Sequence, residues 1–137
     1  MAPTEILAQQ HYNLAKSLLP DNVKIDILTS KTDNKIRKKI INDLENHQID
    51  LLIGTHSLFQ NKINYRKLGL IIIDEQHKFG VKQRKKLSDK GGKNCDILVM
   101  SATPIPRTMI MTIFGDMDVS IIKSKPKNRK EITTVSY

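Results

Sequence analysis

Short apolar segments alternate along this chain with segments of helical periodicity, and no other feature restricts the fold as much. Three apolar segments are continuous and too short for helices, which is typical of strands buried in a sheet: 51–53, 70–73 and 97–100. Amphipathic segments of helical spacing lie between and around them. This alternation predicts an α/β fold in which a parallel sheet is flanked by helices on both faces.

Helices are predicted where an apolar stripe has suitable caps and stops. The first, at 5–19, places Leu7, Leu14 and Leu18 on one face, and Thr4 is its expected N-cap. Three more helices are predicted from the same signals, at 34–46, 81–90 and 107–114.

Strands and domain boundaries follow from the remaining segments. The expected strands are 23–28, 50–54, 68–73, 96–100 and 119–122. Because 68–73 carries a continuous apolar run, we expect it to be covered on both faces. We therefore expect one domain at 1–122. A basic, polar linker follows at 123–131, and a tail at 132–137 looks like the start of a second domain.

Charge and composition restrict the class of partner. The chain has 23 Lys and Arg against 14 Asp and Glu, a net charge of +9 that favours nucleic acid. Aromatic residues make up only 4%, so we expect contacts with phosphates rather than stacked bases. No apolar run approaches the roughly 20 residues that cross a membrane, and no secretion signal is expected. The lone cysteine, Cys95, excludes an intrachain disulfide and favours a cytoplasmic setting.

Two adjacent carboxylates follow the predicted strand at 68–73. In open parallel sheets, ligands bind beyond the carboxyl ends of the strands. Asp74-Glu75-Gln76-His77 stands at such an end. A nucleotide hydrolase needs one carboxylate to hold magnesium, usually through water, and another to orient the attacking water. An isolated Asp-Glu pair is more often a helix start, and the preceding apolar strand and the following histidine favour the hydrolase.

Hydroxyl residues follow the next apolar strand. Ser101 and Thr103 come directly after 97–100. Such residues are often turn or cap residues. Beside the Asp-Glu-x-His segment they gain a second interpretation, because they could hydrogen-bond His77 and relay the state of a nucleotide.

Two further segments suit phosphate contact. Gly54-Thr55-His56 follows the strand at 50–54, and Pro3-Thr4 precedes the first helix. Both arrangements aim backbone N–H groups and a hydroxyl at the start of a helix, where anions bind.

The four segments resemble the motifs of superfamily 2 helicases, and they occur along the chain in the same order as those motifs. Pro3-Thr4 and Gly54-Thr55-His56 are similar to the DNA-contact motifs, and the segment at 74–77 is similar to the DExH box. Ser101-Ala102-Thr103 is similar to the coupling motif. The finer resemblance is to RecG-type helicases, through residues 2–8, 54–58, 73–81, 102–108 and 115–120. The transcription-repair coupling factor is the alternative, and Glu5 and Gln76 favour RecG.

The resemblance implies a RecA-like P-loop NTPase fold that uses ATP and magnesium. It implies an ATP-dependent DNA helicase that remodels branched DNA, such as stalled forks and Holliday junctions, in recombination and repair. It further implies a bacterial cytoplasmic location and a monomeric full-length parent. It leaves the oligomeric state of this chain open.

Residue roles follow from the same resemblance. Asp74 would hold magnesium through water and Glu75 would be the catalytic base. Gln76 and His77 would sense the γ-phosphate and couple to Ser101 and Thr103. The implied DNA contacts are Pro3, Thr4, Gly54, Thr55 and His56. Arg107 is either a further anion contact or a structural residue at the start of a helix.

One part of the family pattern does not occur in the sequence. The phosphate-binding loop ends in Gly-Lys-Ser or Gly-Lys-Thr, and Gly91-Gly92-Lys93-Asn94 lacks that spacing and order. We therefore expect part of a first motor domain without its first strand, phosphate loop and first helix, and we expect the isolated chain to be inactive. The alternative of another class is a non-enzymatic remnant or split-gene product with weak DNA binding.

Overall fold

The computed structural model of the chain describes residues 1–60, 63–75, 95–103 and 118–122. Met1–Ala102 and Thr103–Tyr137 form separate compact units. The helices predicted at 81–90 and 107–114, the linker at 123–131 and the tail at 132–137 lie outside the described residues. No helix among the described residues is long and apolar enough to span a membrane.

Two α-helices of the first unit begin at side-chain caps. Helix α1, Glu5–Leu18, follows Thr4, whose hydroxyl accepts a hydrogen bond from the backbone N–H of Leu7 at 3.3 Å. This confirms the predicted cap. Helix α2, Asn34–Glu45, follows Asp33, whose carboxylate accepts from the N–H of Lys35 at 2.7 Å. Helix α1 ends just before Leu19-Pro20, because the residue before a proline disfavours helical backbone.

Four strands form two parallel pairs. Strand β1, Ile25–Leu28, pairs with β2, Leu51–Gly54. Strand β3, Leu70–Ile73, pairs with β4, Asp96–Val99. A 3₁₀ turn, His56–Phe59, follows β2. The predicted parallel arrangement is confirmed, with strand bounds one or two residues shorter than expected.

The first two residues of the chain lie between these pairs. The Met1 α-amine donates to the carbonyl of Ile72 at 2.6 Å, and the Met1 carbonyl accepts from the N–H of Asp74 at 3.0 Å. On the other side, Ala2 donates to the carbonyl of Gly54 at 2.9 Å. Met1 and Ala2 therefore link the end of β2 to the end of β3.

The two helices cover opposite faces of the β1–β2 pair. On one face, Ala8 of α1 packs in a cluster with Ile53 of β2. On the other face, Ile40 of α2 packs in a cluster with Leu28 of β1. Because successive side chains of a strand alternate between faces, both helices bury apolar side chains against this pair. This confirms the expectation of helices on both faces.

Strand β3 departs from the expectation of cover on both faces. Ile71 and Ile73 are buried and pack in a cluster with Phe59, but Leu70 is 54% exposed and Ile72 is 37% exposed. The expectation was wrong because a continuous apolar run does not determine whether other elements pack on both faces of the strand.

The described part of the second unit contains no helix or strand. Residues 118–122 form neither, and Ile121 and Ile122 are 72% and 90% exposed. The strand predicted at 119–122 is therefore wrong. A run of β-branched residues favours a strand only where it pairs with a neighbour and buries one face, and this run does neither.

Candidate functional site

The chemically interesting residues of the first unit lie at the carboxyl ends of its strands. Asp74 and Glu75 follow β3, Ser101 comes shortly after β4, and Thr55 follows β2. Parallel pairing puts the ends within each pair at the same edge. Met1, through its bonds to β3 and the bond of Ala2 to β2, brings the two edges together. The sequence-based expectation of a common edge is met for these residues.

Asp74 is held from two sides. Its backbone N–H donates to Met1, and its carboxylate Oδ2 lies 3.0 Å from Nε2 of His11. An ionised carboxylate only accepts, so His11 must carry the proton on Nε2. The side chain of Asp74 remains 23% exposed. It is thus oriented by α1 and still open to a ligand.

The Met1 α-amine lies beside Asp74 in a position that is largely removed from solvent. Burial lowers the pKa of this amine, and the carboxylate of Asp74 opposes that change to a smaller extent. Desolvation of an ammonium group is unfavourable, and a nearby negative charge offsets part of it. Asp74 therefore contributes to holding the start of the chain between the strands.

Glu75 has an unusual backbone conformation. Its φ is +51°, in the left-handed region that residues with a Cβ seldom adopt. Such conformations cost about 1–3 kcal/mol and concentrate at functional turns. The chain therefore turns sharply at Glu75, directly after β3. Gln76 and His77, which come next, lie outside the described residues.

The predicted coupling residues belong to different units. Ser101 is half-buried and lies in the first unit, just after β4. Thr103 is exposed and begins the second unit. Arg107, the further anion contact suggested by the sequence, lies outside the described residues. The coupling role of these residues stays a prediction.

The predicted DNA contacts divide into exposed and buried residues. Thr4 is exposed and caps α1, and His56 is exposed with its ring 6.1 Å from that of Phe59, edge to face. Thr55 is buried, and Gly54 lies against the backbone of β1. Pro3 is half-buried at the start of the segment. Thr4 and His56 are therefore accessible to a ligand, whereas Gly54 and Thr55 lie beneath the surface, and the DNA contacts of all five residues stay a prediction.

Sequence reasoning missed three side chains at this edge. His11 orients Asp74, and its distance of seven residues from Thr4 puts both on one face of α1, which is a usable signal. Glu5 accepts a hydrogen bond from Ser30, which follows β1. Arg37 of α2 donates to the carbonyl of Thr29 at 2.7 Å. Neither of the last two contacts has a signal in the local sequence.

Comparison with known proteins gives a consistent result. The DEAD/DEAH box helicase family matches residues 1–112. ATP-dependent DNA helicase RecG of Streptococcus pneumoniae is 51% identical over 134 residues, which are 98% of this chain and 20% of the relative. RecG of Bacillus subtilis is 50% identical over 135 residues, with the same shares. The chain spans about one fifth of the length of the curated relatives it matches.

A solved structure is similar along almost the whole chain. It is described as RecG bound to a three-way DNA junction. The TM-score is 0.75 and the identity 44%, over 96% of this chain and 17% of that chain. This likeness confirms the predicted RecA-like α/β fold class and the resemblance to RecG-type helicases. The relatives named here are RecG helicases, which favours that interpretation over the transcription-repair coupling factor.

Proposed function

Because the chain belongs to the DEAD/DEAH box helicase family, we propose that it forms part of the first motor domain of an ATP-dependent DNA helicase that acts on branched DNA. The observation that carries the proposal is the position of Asp74 and Glu75 at the end of β3, beside the ends of β2 and β4. The relatives are bacterial DNA helicases, which supports a role in recombination and repair in the bacterial cytoplasm.

Asp74 is the residue that would hold a metal ion. Membership in a helicase family implies ATP use, and magnesium is the ion we propose to accompany it. His11 engages Oδ2 of Asp74, so Oδ1 remains to accept a hydrogen bond from a metal-bound water. Carboxylate oxygens and water are the ligands magnesium prefers. No group of three or more His, Cys, Asp or Glu side chains that could hold a metal ion occurs among the described residues.

When bound, magnesium would neutralise charge on the phosphates. Glu75, the second carboxylate, is proposed to orient the attacking water and accept its proton. A general base of this kind accelerates a reaction by about 10²–10⁴-fold. Glu75 lies at a sharp backbone turn directly after Asp74.

The residues of this chain could hold the metal ion and the attacking water of a nucleotide site. The loop that would hold the phosphates does not occur in the sequence. The sequence has no Gly-Lys-Ser or Gly-Lys-Thr loop. Backbone N–H groups and a lysine in such a loop hold the phosphates, and positioning is most of phosphoryl-transfer catalysis. We therefore expect these 137 residues alone not to hydrolyse ATP.

DNA is the proposed partner, bound through its phosphates. The net charge of +9 with 4% aromatic residues supports phosphate contact over base stacking. Thr4 and His56 are the exposed members of the proposed DNA face, and Pro3, Gly54 and Thr55 complete it. Branched DNA is proposed because the solved relative is bound to a three-way junction.

Ser101 and Thr103 are proposed to couple ATP use to DNA movement. Ser101 follows the strand next to β3, and Gln76 and His77 are proposed to report the γ-phosphate to these hydroxyls. Their loss should uncouple the two processes, since neither hydroxyl is proposed to touch the transferring phosphate or the attacking water.

The test uses a chimera in which the matching 134-residue segment of the Streptococcus pneumoniae RecG is replaced by this chain. We expect the chimera to unwind a three-way DNA junction with ATP. Ser101→Ala with Thr103→Ala should raise the ATP hydrolysed per junction unwound. Ser17→Ala, which removes a hydroxyl bonded to Leu14 on α1, is the matched control and should not change that ratio.

A folded chimera that neither hydrolyses ATP nor unwinds the junction would contradict the proposed function. If the double variant instead lost both activities in equal proportion, Ser101 and Thr103 would be structural residues and the coupling role would be wrong.

A further inference from the structure

A tight turn follows β1 at the edge that carries the proposed DNA contacts. Because β1 and β2 end in register, the turn at 29–32 lies at the same edge as His56. The N–H of Thr32 donates to the carbonyl of Thr29 at 3.3 Å, and the N–H of Thr29 donates to the hydroxyl of Thr32 at 2.9 Å. Arg37 of α2 donates to the carbonyl of Thr29 as well. The turn is therefore held by its own bonds and by α2.

Two donors at the tip of this turn hold the carboxylate of Glu5. The hydroxyl of Ser30 donates to Oε1 at 2.5 Å, and the ammonium of Lys31 lies 3.2 Å from Oε2. Glu5 is the first residue of α1 and follows Thr4, an exposed residue of the proposed DNA face. Each carboxylate oxygen therefore has a donor of its own, one neutral and one charged.

These donors are of the type that contacts a nucleic acid phosphate. Serine hydroxyls, lysine ammonium groups and helix N-termini are among the groups that bind DNA phosphate oxygens. Here a hydroxyl, an ammonium group and the start of α1 already surround an anion, and that anion is a side chain of the same chain. A carboxylate presents two oxygens to such donors, as a phosphate diester does with its two non-bridging oxygens. Glu5 therefore engages the donors in the way that a phosphate would.

The contact is accessible and weak enough to exchange. The side chain of Lys31 is 87% exposed and that of Glu5 is 28% exposed. Exposed ion pairs contribute little to stability, because water and salt screen them and both side chains lose freedom. Hydrogen bonds from Ser30 and then Lys31 lower the pKa of Glu5, so its carboxyl group is ionised at neutral pH. A phosphate that reaches Lys31 therefore meets a charged competitor.

We propose that Glu5 is an internal competitor of DNA phosphate: its carboxylate holds Ser30 and Lys31 in the unbound chain, and a phosphate that binds beside Thr4 displaces it. The proposal rests on the DNA-binding function proposed above, and it assigns to Glu5 a role in setting how tightly DNA is held. Because one anion replaces another, the turn adds less to DNA affinity than its positive charge suggests. Such a competitor suits a protein that must release one phosphate to reach the next.

The test measures binding of a fluorescein-labelled oligothymidylate to the 137-residue chain. Glu5→Gln keeps an oxygen that accepts from Ser30 but removes the charge that holds Lys31. We expect this variant to bind DNA about two- to fivefold more tightly at low salt, which is the strength of one exposed ion pair. The logarithm of its affinity should also fall more steeply with the logarithm of salt concentration, by about 0.7, because one more lysine becomes available to phosphate.

Asp33→Asn is the matched control, because it removes one negative charge directly after the turn. Asp33 is exposed and caps α2 by accepting from the N–H of Lys35, and asparagine caps a helix equally well. The change leaves the contact between Glu5 and Lys31 in place, so the salt dependence of DNA binding should stay that of the parent chain. An effect equal to that of Glu5→Gln would overturn the proposal, since it would reflect net charge alone.

Lys31→Ala distinguishes exchange from simple charge repulsion. If Glu5 competes for Lys31, Lys31→Ala should cost more DNA affinity in the Glu5→Gln chain than in the parent, because only there is the lysine fully available. If Glu5 acts only through its charge at a distance, the effects of the two substitutions should add. Urea unfolding of each variant shows that the chains compared are folded.

The outcomes separate this proposal from the proposed function. Additive effects would overturn the proposal, and so would DNA binding that Glu5→Gln leaves unchanged or weakens. Those results would leave the proposed DNA function intact, because the parent chain binds DNA in each of them. Absence of DNA binding by every variant would instead contradict the proposed DNA function, and this proposal with it.

Discussion

Substitution of Gly54 by alanine tests the packing of the first strand pair. Gly54 ends β2 and is paired in register with Leu28 of β1. A Cβ at Gly54 would lie 2.1 Å from the carbonyl oxygen of Leu28 and 3.1 Å from Cδ2 of Leu58. Comfortable carbon contacts need about 3.5 Å. The methyl group therefore requires a movement of about 1 Å or more against backbone rather than against a flexible side chain.

The expected loss of stability follows from that clash. Leu28 is fully buried in the cluster with Ile40, so its carbonyl cannot move without disturbing the β1–β2 ladder and the core. Overpacking of a well-packed interior costs about 1–3 kcal/mol, and a clash with backbone belongs at the upper end. Alanine regains about 0.5–1 kcal/mol because it is less flexible than glycine in the unfolded chain. The net expectation is a loss of about 2 kcal/mol.

Urea unfolding of the 137-residue chain measures this loss. Gly69→Ala is the matched control, because a Cβ at Gly69 would meet nothing within 4 Å. We expect the control to change the free energy of unfolding by less than about 0.5 kcal/mol, as is usual for surface sites. Equal effects of Gly54→Ala and Gly69→Ala would refute the close approach of β2 to Leu28.

Three further predictions concern helix capping, acid sensitivity and DNA binding. Thr4→Ala should lower the free energy of unfolding by about 1 kcal/mol in the same urea assay, and Thr4→Ser should keep most of it, because only the hydroxyl caps α1. Hydrogen bonds from Ser30 and then Lys31 lower the pKa of Glu5 from its usual 4.5. The stability from Glu5 is therefore full above about pH 4.5 and is lost as pH falls through the lowered pKa; Glu5→Gln should reduce the acid sensitivity of the thermal midpoint below that pH. Binding of labelled DNA should weaken steeply with added salt and show no base preference, and salt-insensitive binding would argue against phosphate contacts.

The order and type of the first elements could be predicted because they depend on local signals. Thr4 caps α1 as expected, and apolar segments became β2, β3 and β4. The buried face of α1 could not be predicted in the same way. Leu14 and Leu18 were expected on the apolar face but are exposed, whereas Ala8 is fully buried. A small residue allows close approach of the helix to the sheet, and periodicity does not distinguish a small contact face from a large apolar one.

Predictions of burial failed where they depended on neighbouring layers. Leu70 and Ile72 look like core residues in the sequence, and both are substantially exposed. The strand expected at 119–122 has the right composition but neither pairs nor buries a face. Local composition states what a segment prefers, and only tertiary contacts decide whether that preference is met.

The candidate site was predictable in its chemistry but not in all its contacts. Asp74, Glu75 and Ser101 follow strands as the sequence indicated. His11 contacts Asp74 across 63 residues of sequence. Its position on the same face of α1 as Thr4 indicated the edge it faces, but not that Asp74 would be its partner. The conformation of Glu75 is likewise unexpected, because left-handed backbone at a glutamate has no sequence signature.

We propose that Asp74 binds the metal ion and Glu75 the attacking water of a DNA-driven ATPase. The measurement that tests it most directly is DNA-stimulated ATP hydrolysis by the RecG chimera, with ATP binding measured on the same samples. Glu75→Gln should lower the turnover rate at least about 100-fold, the usual range for loss of a general base, and leave ATP binding nearly unchanged. Glu45→Gln, at an exposed position at the end of α2, is the matched control and should behave as the parent chimera. Unchanged ATP turnover in the folded Glu75→Gln chimera would show that Glu75 is not the catalytic base.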